Sequence, residues 1–171
     1  GVADYKTETG KIMRFQEKPS IEEAYSNLIN AGTYILEPEI FKLMPEGAHS
    51  IERDVYEDLA ATGGLNGYPF EGWFVDAGTP SSFVEATQVC ISKERFSSGH
   101  VKDLSWFGKG SKNSGEIHRS SLGPAANVGK GSKIQDSVIL EGAEIGPDCN
   151  IEGCLVGMRA KIPRGTNLQK E

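Results

Sequence analysis

An internal repeat of 17 residues runs through the last third of the chain and restricts its fold more than any other feature. Three columns of apolar residues recur at this period. The first column contains Ile117, Ile134, Ile151 and Leu168, the second Leu122, Ile139 and Val156, and the third Val128, Ile145 and Ile162. Within one period the columns are spaced 6, 5 and 6 residues apart. This spacing predicts three short sides per turn that meet at corners of glycine and small polar residues.

We therefore predict a triangular β-solenoid. Its coils would stack about 4.8 Å apart, with apolar residues inside and polar residues outside. A single coil buries too little apolar surface, so about three are needed, and the columns predict roughly three. A β-sandwich is the alternative, but it gives no reason for one register to hold across three columns.

The sequence before the repeat mixes strand-like and helical patterns. Residues 28–36 form a short apolar run that is typical of a buried strand. Residues 65–78 predict a further extended segment. Short helices are expected from residue 37 to Pro45 and again from Ser50, which is a suitable N-cap. A longer helix is expected after Thr79 and Pro80, and residues 97–110 lose periodicity as a linker does.

Composition excludes several classes of protein. The chain has 18 Lys and Arg against 24 Asp and Glu, and the net charge of -6 argues against binding to nucleic acid. No window approaches the roughly 20 apolar residues of a membrane helix, and no export signal opens the chain. The three cysteines lack the spacing of a zinc or redox motif, which predicts a reducing, cytoplasmic setting and no membrane partner.

Three short motifs bring polar groups into otherwise apolar or turn-like sequence. In "FQEKP", Pro19 directs Lys18 towards extended backbone, although an exposed Glu-Lys pair would also explain this motif by itself. In "NAG", Asn30 supplies donors and an acceptor while Gly32 permits close approach of a ligand to the backbone. Asp76 follows an apolar run directly. A carboxylate there suits a bound cation, although capping the next helix is the alternative.

The order of these motifs resembles a known family. The segments "FQEKPS", "NLINAGTYILEPEIF", "SIERDVYEDLA" and "GYPFEGWFVDAGTPSSFVEA", followed by the repeats, are similar to sugar-1-phosphate nucleotidyltransferases. Within the family, the sequence resembles the mannose-1-phosphate guanylyltransferase and glucose-1-phosphate nucleotidyltransferase branches that carry a hexapeptide-repeat tail. The resemblance implies the C-terminal portion of a Rossmann-like α/β domain over 1–96, a linker over 97–110, and a left-handed parallel β-helix over 111–171.

The resemblance also implies roles for individual residues. In the family reaction, a sugar 1-phosphate attacks the α-phosphate of a nucleoside triphosphate (NTP) and releases pyrophosphate, with Mg²⁺ as the cofactor. The catalytic positions would be Lys18, which holds the sugar phosphate, and Asp76, the second carboxylate of the metal site. The sugar would be bound by Gly1, Glu17, Asn30 and Gly32, in addition to Lys18.

The family's glycine-rich nucleotide loop and first metal-binding aspartate have no counterpart in this sequence. We therefore expect the chain to begin within a larger protein and to be inactive alone. Mannose 1-phosphate with GTP is the favoured pair, followed by glucose 1-phosphate with dTTP or UTP. The alternatives are a non-catalytic sensor or scaffold subunit, and an acyltransferase that would depend on His118. The open end and flat sides of the solenoid predict a homo-oligomer.

Overall fold

The computed structural model describes residues 1–170 and divides into two compact units. The first unit comprises Gly1–Phe74, and the second begins at Val75. This spatial division falls earlier than residue 96, because the helix that follows Thr79 packs with the repeats. The predicted division into 1–96, 97–110 and 111–171 stays a prediction about domains in the sequence, and residue 171 lies outside the described part.

The first unit is built around a β-hairpin. Strand β1 (Val2–Lys6) pairs antiparallel with β2 (Lys11–Gln16), with an irregularity between Asp4 and Tyr5. The turn between them contains Gly10, whose φ of 72° lies in the left-handed region that favours glycine. The hairpin therefore forms where the sequence places a turn between two extended runs.

Short helical segments complete the core of this unit. A 3₁₀-helix spans Pro38–Lys42, and a π-helical turn over Glu52–Tyr56 continues into helix α1 (Glu57–Ala61). The Ser50 hydroxyl accepts a hydrogen bond from Arg53 N at 3.4 Å, which agrees with the predicted N-cap. The buried core residues of the unit are Ala3, Phe15, Ile40, Val55, Tyr56 and Ala60.

In the described structure, neither the predicted buried strand over residues 28–36 nor the predicted extended segment over residues 65–78 forms a strand of a sheet. Residues 28–36 have only an isolated bridge between Ile29 and Val2, and Ile35 is 100% exposed. Residues 65–78 likewise have one bridge, between Asn66 and Lys11. A strand buried in a sheet needs neighbours on both sides, and within residues 1–170 each segment pairs on one side only. The prediction of a buried strand over 28–36 was therefore wrong for this chain.

The first regular element of the second unit is a helix. Helix α2 (Pro80–Ser92) has Pro80 in its first turn and a capping box at its start. Thr79 Oγ1 accepts a hydrogen bond from Ser82 N, and Ser82 Oγ accepts one from Thr79 N. No helix in the described residues is both long and apolar enough to span a membrane.

The remainder of the second unit is a β-helix whose strands pair in parallel, as the repeat predicts, except that its first strand pairs antiparallel with its second. Its strands are β3 (His100–Lys102), β4 (Ser105–Phe107), β5 (Lys112–Asn113), β6 (Glu116–His118), β7 (Ser121–Leu122), β8 (Asn127–Val128), β9 (Lys133–Gln135), β10 (Val138–Ile139), β11 (Glu144–Ile145), β12 (Asn150–Glu152), β13 (Leu155–Val156), β14 (Lys161–Ile162) and β15 (Asn167–Gln169). They form three sheets, with orders β13-β10-β7-β4-β3, β14-β11-β8-β5 and β15-β12-β9-β6. The architecture is consistent with the predicted left-handed β-helix.

The apolar columns of the sequence become the stacked core of the β-helix. Ile134, Ile151 and Leu168 are aligned in the sheet of β9, β12 and β15. Ile151, in the middle of this column, is 0% exposed. The 17-residue register therefore places each inward residue on its equivalent in the next coil.

The β-helix has about four coils, so the prediction of roughly three coils was one too few. The additional coil consists of residues 105–120, and β4 and β5 pair with residues 15 positions later instead of 17. The corner between β5 and β6 consists of two residues, 114–115. The equivalent corner in the next coil, between β8 and β9, consists of four residues, 129–132. This shortened corner shifts the apolar columns, which is why the period does not extend into residues 97–113. Strands β3 and β4 accordingly occupy much of the predicted linker.

A buried ladder of small polar side chains follows one edge of the coils. Ser120 N donates to Ser105 Oγ at 3.3 Å, Ser137 N to Ser120 Oγ at 3.0 Å, and Cys154 N to Ser137 Oγ at 3.0 Å. The hydroxyls of Ser120 and Ser137 donate in turn to nearby carbonyls. The ladder therefore provides hydrogen-bond acceptors for backbone N–H groups at the corners, where the chain leaves the sheets.

Candidate functional site

Three of the predicted sugar-binding residues meet at the start of the first unit. Gly1 O accepts a hydrogen bond from Asn30 N at 2.9 Å, and Gly1 N lies 3.2 Å from Glu17 Oε2. A Cβ at position 1 would approach Glu17 Oε2 to 2.8 Å and the Phe15 ring to 2.4 Å. Glycine is therefore the residue that fits at position 1, because any side chain would displace these groups.

The Glu17 carboxylate has spare hydrogen-bonding capacity. Its side chain is 15% exposed, and Oε2 is buried without a partner in hydrogen-bonding geometry among the described residues, although Gly1 N lies at ion-pair distance. The backbone of Glu17 is held by a hydrogen bond from its N–H to Glu57 Oε1 at 3.0 Å. A buried acceptor with unused capacity is suited to bind a hydroxyl donor of a ligand.

Lys18 follows Glu17 in an unusual backbone conformation. Its φ of 49° lies in the left-handed region, so the extended backbone predicted for the residue before Pro19 was wrong, and this conformation costs free energy for a residue with a Cβ. The residue is exposed. Its flexible ammonium group is available to an anion, as the predicted contact with a phosphate requires.

A hydrogen-bond network extends the site beyond the predicted residues. Asn30 Nδ2 donates to the Tyr34 hydroxyl at 2.6 Å, and that hydroxyl donates to Glu52 Oε1 at 3.0 Å. The backbone of Gly32 is linked to the same group, because Gly32 N donates to Asn30 Oδ1 at 2.9 Å. The φ of 68° at Gly32 permits this tight turn. Asn30 is thus fixed on both sides of its amide.

Glu52 is held in its ionised form. A hydrogen bond from its own backbone N–H is the main cause that lowers the pKa of its carboxyl, and the hydroxyls of Ser50 and Tyr34 also lower it, while burial opposes them. The stabilisation from this depressed pKa is present at neutral pH and is lost as the pH falls through it. Around neutral pH, the network therefore ends in a carboxylate that can accept further hydrogen bonds.

Aromatic rings support the network from within the core. The Tyr34 ring packs edge-on against Tyr56 with centroids 5.0 Å apart, and Tyr56 packs against Phe15 at 6.1 Å. Tyr56 is 2% exposed, and its hydroxyl has no hydrogen-bond partner among the described residues. Burial raises the pKa of Tyr56 to about 12. The side chain therefore acts as an apolar support that carries an unpaired polar atom.

We expect Tyr56→Phe to leave the free energy of unfolding unchanged or to raise it by up to about 1 kcal/mol, because it removes a buried hydroxyl without a partner. Tyr34→Phe is the matched control. It removes a hydroxyl with two hydrogen bonds and should cost roughly 1 kcal/mol. Urea denaturation of both variants measures the difference, and a larger loss from Tyr56→Phe would contradict the structural interpretation.

Asp76 lies in the second unit, near its start, in the loop before helix α2. Its Oδ1 accepts a hydrogen bond from Gly78 N at 3.1 Å, and the residue is exposed. The N-cap of helix α2 is Thr79, so Asp76 does not cap this helix. Among residues 1–170, no three His, Cys, Asp or Glu side chains form a metal-binding cluster. Asp76 fits a single carboxylate ligand, which is compatible with a Mg²⁺ ion that phosphate oxygens also bind.

Sequence reasoning missed Tyr34 and Glu52 as members of this site. Tyr34 was part of the run interpreted as a buried strand, and Glu52 was part of a helix start. Their contact spans 18 positions and depends on the tertiary fold. The weak signal available was a tyrosine four residues after Asn30, because a hydroxyl in an apolar run needs a partner.

Comparison with protein families divides the chain in two. The family model described as nucleotidyl transferase matches residues 1–93. The model described as GlmU-like, C-terminal hexapeptide matches residues 87–170. The first match contains every predicted site residue, and the second contains the β-helix.

Individual relatives agree with these matches. A glucose-1-phosphate adenylyltransferase of Bacillus cereus is 30% identical over 193 aligned positions, which cover 94% of this chain and 50% of the relative. A mannose-1-phosphate guanyltransferase of Yarrowia lipolytica is 40% identical over 92 positions, covering 54% of this chain and 25% of that relative. The chain thus spans about half the length of the adenylyltransferases that it matches.

Proposed function

Because the chain belongs to the nucleotidyl transferase family, we propose that it supplies the sugar-phosphate half of a sugar-1-phosphate nucleotidyltransferase. In this reaction, an oxygen of the sugar phosphate attacks the α-phosphorus of an NTP. A new phosphorus–oxygen bond forms as the bond to the β-phosphate oxygen breaks, and pyrophosphate leaves. The products are an NDP-sugar and pyrophosphate, and no external oxidant or reductant is needed.

The observation that supports this proposal best is the convergence of Glu17, Asn30 and Glu52 around Gly1 and Tyr34. Two carboxylates and an amide can accept hydrogen bonds from several hydroxyls of one sugar. A sugar ring has many hydroxyls, and discrimination between sugars depends on pairing each with a buried polar group. The Gly1 backbone lies directly against this group.

The charged residues fit the transfer chemistry. Lys18 would neutralise charge on the attacking phosphate, and the phosphate oxygen needs no general base because it is already ionised. Asp76 would contribute one ligand to Mg²⁺. When bound, this ion would supply charge neutralisation on the phosphate oxygens. The chain's own contribution is positioning, with Lys18 on the sugar side and Asp76 on the metal.

Mannose 1-phosphate with GTP is the first substrate pair that we propose. The two relatives are a glucose-1-phosphate and a mannose-1-phosphate enzyme by name, so glucose 1-phosphate with ATP, UTP or dTTP is the next group to test. The three free cysteines support a reducing, cytoplasmic setting. The flat sheets of the β-helix support assembly into a homo-oligomer.

The test joins this chain at Gly1 to the amino-terminal half of the Bacillus cereus adenylyltransferase. Pyrophosphate release is then measured over a grid of NTPs and sugar 1-phosphates with Mg²⁺. We expect release with one preferred pair from the joined protein and none from the 171-residue chain alone. Turnover by the chain alone would refute the proposal that it supplies only the sugar-phosphate half of the site. If the joined protein is folded and binds sugar phosphate but releases no pyrophosphate, the result would favour a sensor or scaffold subunit.

Lys18→Gln should weaken sugar-phosphate binding roughly 10- to 100-fold, because the positive charge opposite the phosphate is lost while a polar, slightly shorter side chain remains. Titration of the chain with mannose 1-phosphate and glucose 1-phosphate, followed by amide chemical shifts, measures this effect without turnover. Lys6→Gln, in strand β1, is the matched control and should bind normally. If the two variants bind the sugar phosphates with equal affinity, Lys18 is not part of the binding site.

A further inference from the structure

One of the three sheets of the β-helix has a largely apolar outer surface. In the sheet of β4, β7, β10 and β13, the positions that alternate with the inward column are Trp106, Ser121, Val138 and Leu155. Val138 is 2% exposed even though it faces away from the core of the coils. In the other two sheets, outward positions such as Lys133 and Glu144 are charged and exposed. The apolar sheet is therefore covered from outside by another part of the same unit.

Helix α2 provides this cover. It contacts β13, and its Ile91 lines one cavity with Val138. Val84 and Ile91 are both 7% exposed. Gln88 follows Val84 by four residues and precedes Ile91 by three, so these side chains share the face of the helix that is turned to the sheet. A half-buried glutamine thus lies between two buried apolar residues.

Gln88 fastens the helix to two successive corners of the β-helix. Its Nε2 donates to Arg119 O at 3.3 Å and to Asp136 Oδ1 at 3.2 Å. Arg119 and Asp136 are equivalent residues of neighbouring coils, and Arg119 Nε donates to the same Asp136 oxygen at 2.7 Å. An apolar side chain could fill the space between Val84 and Ile91. Hydrogen bonds are directional, however, so Gln88 also fixes one placement of the helix on the sheet.

The start of the same helix is joined closely to Asp76. Thr79, the N-cap of α2, comes three residues after Asp76. Asp76 Oδ1 accepts a hydrogen bond from Gly78 N at 3.1 Å, and Thr79 is held by its hydrogen bonds with Ser82. Because this short segment is tied at both ends, the direction of the Asp76 carboxylate follows the placement of α2.

We propose that Gln88 is a positioning residue for the transfer reaction, because it fixes α2 on the β-helix and thereby fixes the loop that carries Asp76. This role rests on the proposed function, in which Asp76 is a ligand of Mg²⁺. The β-helix accordingly contributes to metal binding as the support of the ligand loop, and Gln88 acts through that loop.

The test replaces Gln88 by leucine, which has a similar volume but forms no hydrogen bond. In the joined protein, Gln88→Leu should raise the Mg²⁺ concentration that gives half-maximal pyrophosphate release roughly fivefold, the effect of losing a hydrogen bond of ordinary strength. The affinity for sugar 1-phosphates should stay unchanged. Gln135→Leu is the matched control, since Gln135 Nε2 also donates to Asp136, at 3.2 Å, but does not belong to α2. It should leave the Mg²⁺ requirement unchanged.

Swapping the donor and the acceptor separates positioning from packing. Gln88→Glu places a carboxylate against Asp136 and should raise the Mg²⁺ requirement at least as much as Gln88→Leu. Asp136→Asn, added to this variant, provides an amide that can donate to the carboxylate, so the double variant should recover part of the loss. A role in packing alone predicts no recovery, because all these side chains have similar sizes.

Amide hydrogen exchange of the 171-residue chain tests the same contact without turnover. Gln88→Leu should speed exchange of the Gly78 and Ser82 amides roughly fivefold and leave the amides of β11 and β12 unchanged. Unchanged exchange at Gly78 and Ser82, an unchanged Mg²⁺ requirement, or an equal effect of Gln135→Leu would overturn the proposal while the joined protein stays active. If the joined protein with Gln88 intact releases no pyrophosphate, the proposed function itself fails, and the role of Gln88 fails with it.

Discussion

Asp76→Asn should reduce pyrophosphate release by the joined protein roughly 10²- to 10³-fold, which is the loss expected when an electrostatic contact to the transferring phosphate is removed. Asparagine keeps the shape of the side chain and the acceptor for Gly78 N. It lacks the negative charge that a Mg²⁺ ligand needs. The change therefore separates a role in the metal site from a role in the turn.

The Mg²⁺ dependence of the rate distinguishes these roles further. If Asp76 binds the ion, raising the Mg²⁺ concentration should restore part of the activity of the variant, whereas a distorted loop would not respond. Glu71→Gln removes another exposed carboxylate nearby in sequence and is the matched control. Normal activity of Asp76→Asn would assign the carboxylate to the turn alone and remove it from the site.

Ile151→Ala should lower the free energy of unfolding of the β-helix by about 2–5 kcal/mol, because a fully buried side chain is lost from the middle of a stacked column. Leu168→Ala removes a comparable side chain from the half-buried last coil of the same column. This control should cost clearly less, since its side chain stacks on one neighbour instead of two.

Urea denaturation followed by the fluorescence of Trp106, in a Trp73→Phe background, measures unfolding of this unit. Trp106 lies in β4 and pairs with β7, so its emission reports on the β-helix. Equal losses from Ile151→Ala and Leu168→Ala would show that the middle and the last coil of the column are equally well covered in solution, which contradicts the exposure seen in the structure.

The β-helix was predictable because each residue of a solenoid has the same surroundings as its equivalent one coil away, so packing requirements repeat in the sequence. Where that repetition is broken, at the shortened corner before β6, prediction of the first coil failed. Helix α2 was predictable for a different reason. Thr79 and Pro80 are local signals that act within one turn of the helix.

The first unit was harder to predict because its contacts are not periodic. Apolarity of residues 28–36 favours a strand, but strand formation depends on neighbours that sequence spacing does not reveal. Glu17 and Asn30 stood out in their motifs, their roles in binding a sugar came from the family resemblance, and the structure links both residues to Gly1. Their roles in binding a sugar stay predictions. Tyr34 and Glu52 joined them only through tertiary contacts.

The serine ladder has a consequence for how the β-helix tolerates insertions and deletions. In this ladder, the backbone N–H of each residue donates to the serine hydroxyl one coil earlier. An insertion or deletion between a ladder residue and the strand beside it would leave that buried N–H without an acceptor. The corner between β5 and β6 is two residues shorter than its equivalent, yet Ser120 still bonds Ser105. Length variation among related chains should therefore concentrate at this corner and spare the ladder residues.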